Sequence, residues 1–285
     1  MSSTRVAILT DMHLSRPGTD DGTWNNPVLL SRSRDLLADA VSAIAAEAVD
    51  TVIVLGDTTQ SGDAENAEAA FSVIAERVGV PVWAVPGNHD VAVDCDRVLA
   101  AADGTDGVTA LDPRPRALAP GVDVCGVRIA SDDGGSTARA VRLPEALPDD
   151  DPLLVLATHY PVLSVKPRLH ARGLRYPGDL VNRREVERLV SARTAPTVVL
   201  HGHVHAAVTV TSGALLQIGC AALVEWPHGW TLVEVDTGAA GVAVRRRRLS
   251  RAAPPVTDTT LAPSEADWRY AAGAWVAGAH PQLRA

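Results

Sequence analysis

Along the first ninety residues, short continuous apolar runs alternate with longer stretches of helical spacing. RVAILT (5–10), TVIVL (51–55) and VPVWAV (80–85) are apolar at consecutive positions, the pattern of strands buried on both faces. Between the first two, Leu29, Leu36, Leu37, Ala40, Val41, Ile44 and Ala48 fall on one helical face and predict an amphipathic helix over 29–48. A second helix is predicted after Asp63, a fitting N-cap, with Asn66, Phe71, Ile74 and Val78 behind a charged first turn. The order β-α-β-α-β predicts a mainly parallel or mixed sheet with helices packed on it.

Further along, residues 103–121 are rich in Gly, Pro and Asp and read as an irregular loop. Residues 122–130 read as a strand or hairpin, and 131–137 as a flexible turn. PLLVLA (152–157) and TVVL (197–200) are two more buried strands. A Pro- and Gly-containing basic loop over 160–182 and a short helix over 183–192 lie between them. Beyond residue 205 the period shortens to two, predicting strands over 207–210, 214–218, 231–235 and 242–247. Residues 251–264 read as a linker and 264–276 as a final amphipathic helix with Ser264 as its N-cap. The expected organisation is one domain over 1–250, with a linker and C-terminal helical tail over 251–285 packed on it.

Composition narrows the function. A chain of 285 residues, 46% hydrophobic and 21% charged, is long enough to bury a sizeable core. Its net charge of -8 argues against a nucleic-acid surface. The N-terminus has no apolar stretch of a signal peptide, and no apolar run approaches the roughly 20 residues that span a bilayer. The three cysteines, Cys95, Cys125 and Cys220, form no CxxC pair and read as small buried hydrophobes in a reducing compartment. The expected location is the cytoplasm.

The chemistry sits where the strands end. Five strand ends deliver metal-capable side chains: Asp11 and His13, then Asp57, Asn88, His159, and finally His203 and His205. Divalent ions of hard or borderline character take this mixture of carboxylate, imidazole and amide oxygen. Seven ligands exceed the need of one ion. A shared carboxylate, most naturally Asp57, lets the set hold two ions about 3.5–4 Å apart. Several uncompensated polar groups at buried strand ends would otherwise be costly.

In order, DMH, GD, GNHD, H and GHVH resemble the calcineurin-like metallophosphoesterase family over Asp11 to His205. The glycine five residues after the GD aspartate's own glycine-aspartate pair (Gly62) and the chain's size most resemble class III cyclic-nucleotide phosphodiesterases. The resemblance implies an α/β/β/α sandwich: two mixed sheets facing each other, helices outside, metals at one edge. It implies that Asp11, His13, Asp57 and His205 hold one metal, and Asp57, Asn88, His159 and His203 the second. Two divalent ions (Mn, Fe, Zn or similar) would lower the pKa of a bridging water, which attacks phosphorus in line. His89 would donate a hydrogen bond to the phosphate or a proton to the leaving alkoxide.

One position departs from the family's protein phosphatases. The aspartate they carry three residues after the GD aspartate is Gln60 here. Asp90 is the obvious substitute partner for His89, or else a helix cap or an acceptor behind the ligands. His201 is expected to pack behind the ligands rather than bind metal. The leading expectation is a dinuclear-metal phosphodiesterase acting on a small phosphoester such as a 3′,5′-cyclic nucleotide. The alternatives are a phosphomonoesterase on a small metabolite, a non-catalytic metal-binding regulatory module, and a related nuclease. Neither membrane nor nucleic acid is an expected partner, and a homodimer is left open. The RRRR run at 245–248 reads as a solvated edge strand in preference to a phosphate or nucleic-acid patch. Lys166, Arg168, His170, Arg172 and Arg175 either steer phosphate or serve as solvated surface. Trp24, Trp226 and Trp230 either stack on a base or, more commonly, pack.

Overall fold

In a computed structural model of the chain, residues 3–92, 95–131, 137–149, 153–236, 241–249 and 255–278 are described. Their architecture is the expected α/β/β/α sandwich. The first sheet has eight strands in the order Ala274–Ala277, Glu265–Ala271, Gly241–Arg248, Gly229–Asp236, Ser3–Leu9, Thr51–Val54, Val82–Ala84 and Val108–Ala110. The second has six, in the order Val208–Ser212, Leu215–Gly219, Thr197–His201, Leu153–Ala157, Val122–Gly126 and Arg116–Ala119. Both are mixed.

The continuous apolar runs form the central strands because both of their faces are covered. Ala7, Leu9, Val52 and Val54 point to one side and pack against Leu36, Leu37, Phe71 and Ile74 of the helices Ser33–Ala45 and Ala64–Val78. Their neighbours Val6, Ile8, Ile53 and Leu55 point the other way and meet Val124, Val155 and Val198 of the second sheet. On the far side of that sheet, Leu154, Leu156 and Val199 pack against Val186 and Val190 of the helix Arg183–Ser191. Each such buried aliphatic side chain contributes roughly 1.5–3 kcal/mol of transfer free energy.

The sheet directions place the strand ends that matter. Ser3–Leu9 is parallel to Thr51–Val54, which is parallel to Val82–Ala84, and Leu153–Ala157 is parallel to Thr197–His201. Three carboxyl ends therefore share one rim of the first sheet, and two share a rim of the second. The rims are joined: His159 Nδ1 donates to the carbonyl of Leu55 at 2.8 Å. Asp63 caps the second helix as expected, accepting from the Asn66 N–H at 2.9 Å.

The C-terminal segment differs from its reading. Residues 264–276 are not a helix but the antiparallel hairpin Glu265–Ala271 and Ala274–Ala277, which extends the first sheet beyond Gly241–Arg248. Ala266, Trp268 and Tyr270 alternate with Asp267 and Arg269, a period of two. Trp268 and Trp275 are buried between the sheets. Nor does the preceding stretch hang free: the Asn26 amide oxygen accepts from the N–H groups of Val256 and Thr257, and Thr259 is fully buried. Residues 251–254 lie outside the described residues.

Three smaller differences follow the same logic. The predicted helix over 29–48 opens as a 3-10 turn at Leu30–Arg32 before Ser33–Ala45. The loop over 103–121 contains the strands Val108–Ala110 and Arg116–Ala119, and the 160–182 loop contains the short helix Lys166–His170. Gly241–Arg248 is paired along its whole length with Gly229–Asp236 but with Glu265–Ala271 only as far as Arg245, so Arg246–Arg248 extend past the second ladder. The flexible turn read over 131–137 falls mostly on 132–136, outside the described residues. Among the described residues no helix is long and apolar enough to cross a membrane.

Candidate metal centre

Each of the seven predicted ligands leaves its strand end and turns toward the junction of the two rims. The backbone shows how hard the chain is bent to do so. Asp11, His13, Asp57, His203 and His205 all have positive φ, between 44° and 66°. Non-glycine residues adopt this left-handed region at a cost, and such strain concentrates at functional sites. Two motif glycines make room. A Cβ on Gly87 would collide with the backbone and carboxylate of Asp57, and one on Gly202 would strike Thr10 and Asp11. That is why GNHD and GHVH begin with glycine.

The side chains converge. His13 Nε2 lies 3.6 Å from Asp57 Oδ2, and His159 Nε2 lies 3.2 Å from the same oxygen. His159 Nε2 is also 3.1 Å from the Asn88 amide oxygen. His205 Nε2 lies 3.4 Å from Asp11 Oδ1. The His203 ring is 5.0 Å from that of His159, and its backbone N–H donates to the Asp11 carboxylate at 3.2 Å. Asp11, His13 and His205 each offer an atom within 4.8 Å of the others, as do Asp11, Asp57 and His159, and as do His13, Asp57 and His89.

Electrostatics mark the cluster as a cation site. Burial alone would raise the carboxyl of Asp11, yet His205 and His159 hold it down to about 2. Asp57 is held well below its ordinary value in the same way, chiefly by His159 against its own burial. Burial opposes charge on His159 and His205, but Asp57 raises the first to about 9 and Asp11 raises the second to about 10. Burial depresses His13 to about 4 and holds His203 well below its ordinary value. Both ring nitrogens of His13 and Nε2 of His203 are buried with no hydrogen-bond partner. Orphaned imidazole nitrogens beside two buried carboxylates fit divalent metal ions as the missing partners.

Around this cluster the other predicted residues take distinct places. His89 is half-buried, with its ring 4.7 Å from that of His13. Its Nδ1 bonds the backbone carbonyl of Gln60 at 2.9 Å, so its partner is not Asp90. Asp90 is fully buried and braces the loops instead, accepting from the N–H groups of Thr58, Thr59 and Gly87. Burial and the nearby charge of Asp57 push its carboxyl up to about 6. His201 packs against Gly219 with Nδ1 toward the Gly202 carbonyl, and burial depresses it to about 4.

Sequence reasoning missed two residues. Glu225 is fully buried, and its Oε2 lies 2.6 Å from Nδ1 of His205. Its other oxygen accepts from the Asn26 N–H. The sequence did carry a signal: CAALVEWP sets one carboxylate inside an otherwise apolar run. Tyr160 lies 3.9 Å from the His203 ring at a tilt of 37°, fixing its plane. Only its position after Thr158-His159 hinted at that.

A family model described as calcineurin-like phosphoesterase matches residues 4–207. Among solved structures, the chain is similar to a dimetal phosphatase from Danio rerio, with 15% identity and a TM-score of 0.62 over 86% of this chain and 96% of that one. It is similar to the phosphopantetheinyl hydrolase of Mycobacterium tuberculosis, with 14% identity and a TM-score of 0.50 over 79% and 92%. A purple acid phosphatase from yellow lupin aligns with 13% identity and a TM-score of 0.52 over 91% of this chain and 54% of that one. At these identities the likeness is one of fold. No curated protein matches the sequence.

Proposed function

The chain belongs to the calcineurin-like phosphoesterase family, a family of metal-dependent phosphoester hydrolases, and from that premise we propose that it hydrolyses phosphodiesters, with 3′,5′-cyclic nucleotides as the candidate substrates. The observation that carries the reading is the cluster of seven donors with orphaned nitrogens on His13 and His203. Asp11, His13, Asp57 and His205 would hold one ion, and Asp57, Asn88, His159 and His203 the other. When bound, such ions activate water and neutralise charge on the phosphate oxygens. Mn, Fe and Zn all suit these donors.

The protein's own groups do the rest. Asp57 stands between His13 and His159, which supports its reading as a shared ligand. Asn88 contributes an oxygen without charge, which keeps the ligand set from cancelling the cations. Glu225 holds the His205 ring with Nε2 forward, and Tyr160 holds that of His203. The Gln60 carbonyl can only accept, so it fixes the proton of His89 on Nδ1 and leaves Nε2 for the substrate. Protonated there, His89 gives its proton to the leaving alkoxide.

The diester preference is supported by the neutral partner of His89, where the family's protein phosphatases place a carboxylate. Free, buried Cys125 and Cys220 support a reducing, cytoplasmic setting. The test is turnover of bis-p-nitrophenyl phosphate against p-nitrophenyl phosphate by metal-stripped protein with Mn²⁺ restored. Faster, metal-dependent turnover of the diester is expected, and cyclic nucleotides would follow. Preference for the monoester would replace the reading with a phosphomonoesterase, and no turnover with metals bound would favour a binding role.

A further inference from the structure

The last residues of Gly241–Arg248 wall a cavity of about 710 Å³ with the segment 260–264 and the cis Trp226-Pro227 turn, and none of the seven candidate ligands lines it. That volume suits a small organic molecule. Ala221, Pro227, Leu261 and Pro263 give it apolar walls, and Arg246 and Arg248 give it positive charge.

The strand sorts its arginines by face. Arg245 and Arg247 point outward and are neutralised by Glu234 at 3.2 Å and Glu47 at 3.2 Å. Arg246 and Arg248, on the opposite face, have no carboxylate within ion-pair distance among the described residues. The Arg246 guanidinium reaches only neutral acceptors, the carbonyl of Pro263 at 2.6 Å and the hydroxyl of Thr209 at 3.3 Å. Its Nε is buried with no hydrogen-bond partner. Arg248 lies over the Trp226 ring at 4.7 Å. A desolvated cation left unpaired is costly. Asp258 lies close enough to feel the charge of Arg248 but outside ion-pair distance.

We propose that this cavity is a second binding site, separate from the metal ligands, for a small molecule with an oxyanion group on an apolar body. Arg246 and Arg248 take the oxyanion, a carboxylate or a phosphate, and the apolar walls take the body.

The test is calorimetric titration of the metal-stripped full chain with phenyl phosphate, benzoate and uncharged benzyl alcohol. At least one of the two anions is expected to bind with 1:1 stoichiometry, and which one does so separates phosphate from carboxylate recognition. Arg246→Met and Arg248→Met should each weaken that binding at least ten-fold, whereas Arg245→Met, on the outer face, should leave it unchanged. Arg246 also ties two segments together, so if Arg246→Met fails to fold the exposed Arg248 carries the test. Binding of neither anion, equal binding of benzyl alcohol, or an equal loss in Arg245→Met would overturn the proposal.

Discussion

His89 and Glu225 divide the work that a single histidine or carboxylate cannot do alone. His89 is the reachable imidazole, half-buried and tied by Nδ1 to a backbone carbonyl rather than to a metal-site carboxylate. Its replacement by Ala should leave the metals in place and slow turnover, by roughly 10²–10⁴-fold for esters with poor leaving groups and less for nitrophenyl esters. Rate against leaving-group pKa measures this, and loss of a metal from His89→Ala would assign it to the ligands instead. Glu225 is fully buried behind His205 and holds its Nδ1. Glu225→Ala should lower metal affinity by about 10–100-fold, read by titration of the metal-stripped protein, because partners of this kind fix a ligand's tautomer and angle.

At the scale of elements, legibility followed the strength of the local pattern. TVIVL and LLVLA read as buried strands because nothing else makes consecutive apolar residues useful in segments so short. The ligands read from the same ends, as DMH, GD, GNHD and GHVH. The strain that aims them did not: positive φ at Asp11, His13, Asp57, His203 and His205 is imposed by the rims meeting, a tertiary effect. Glu225 showed only as a lone carboxylate in an apolar run, and its role stayed hidden because its partner lies twenty residues away. The C-terminal hairpin was misread because Ala-rich sequence suits a helix, while Trp268 and Trp275 are recruited by the space between the sheets. Trp268→Ala should therefore cost about 3–5 kcal/mol in urea unfolding, the range for large buried aromatics. A loss under about 1 kcal/mol, within the range of surface changes, would mean that the hairpin is not part of the core.

Over the whole molecule, two sheets with helices outside bring five strand ends to one junction and set the candidate metal ligands on that frame. Asp11 and Asp57 are both buried and repel one another, a repulsion that bound cations would relieve. Metal content per chain, measured by elemental analysis after loading with Mn²⁺ and desalting, tests the arrangement at its centre. Two ions are expected in the wild-type protein and neither in Asp57→Ala, with the chain still folded by circular dichroism. Two ions retained by Asp57→Ala, or only one in the wild type, would contradict it.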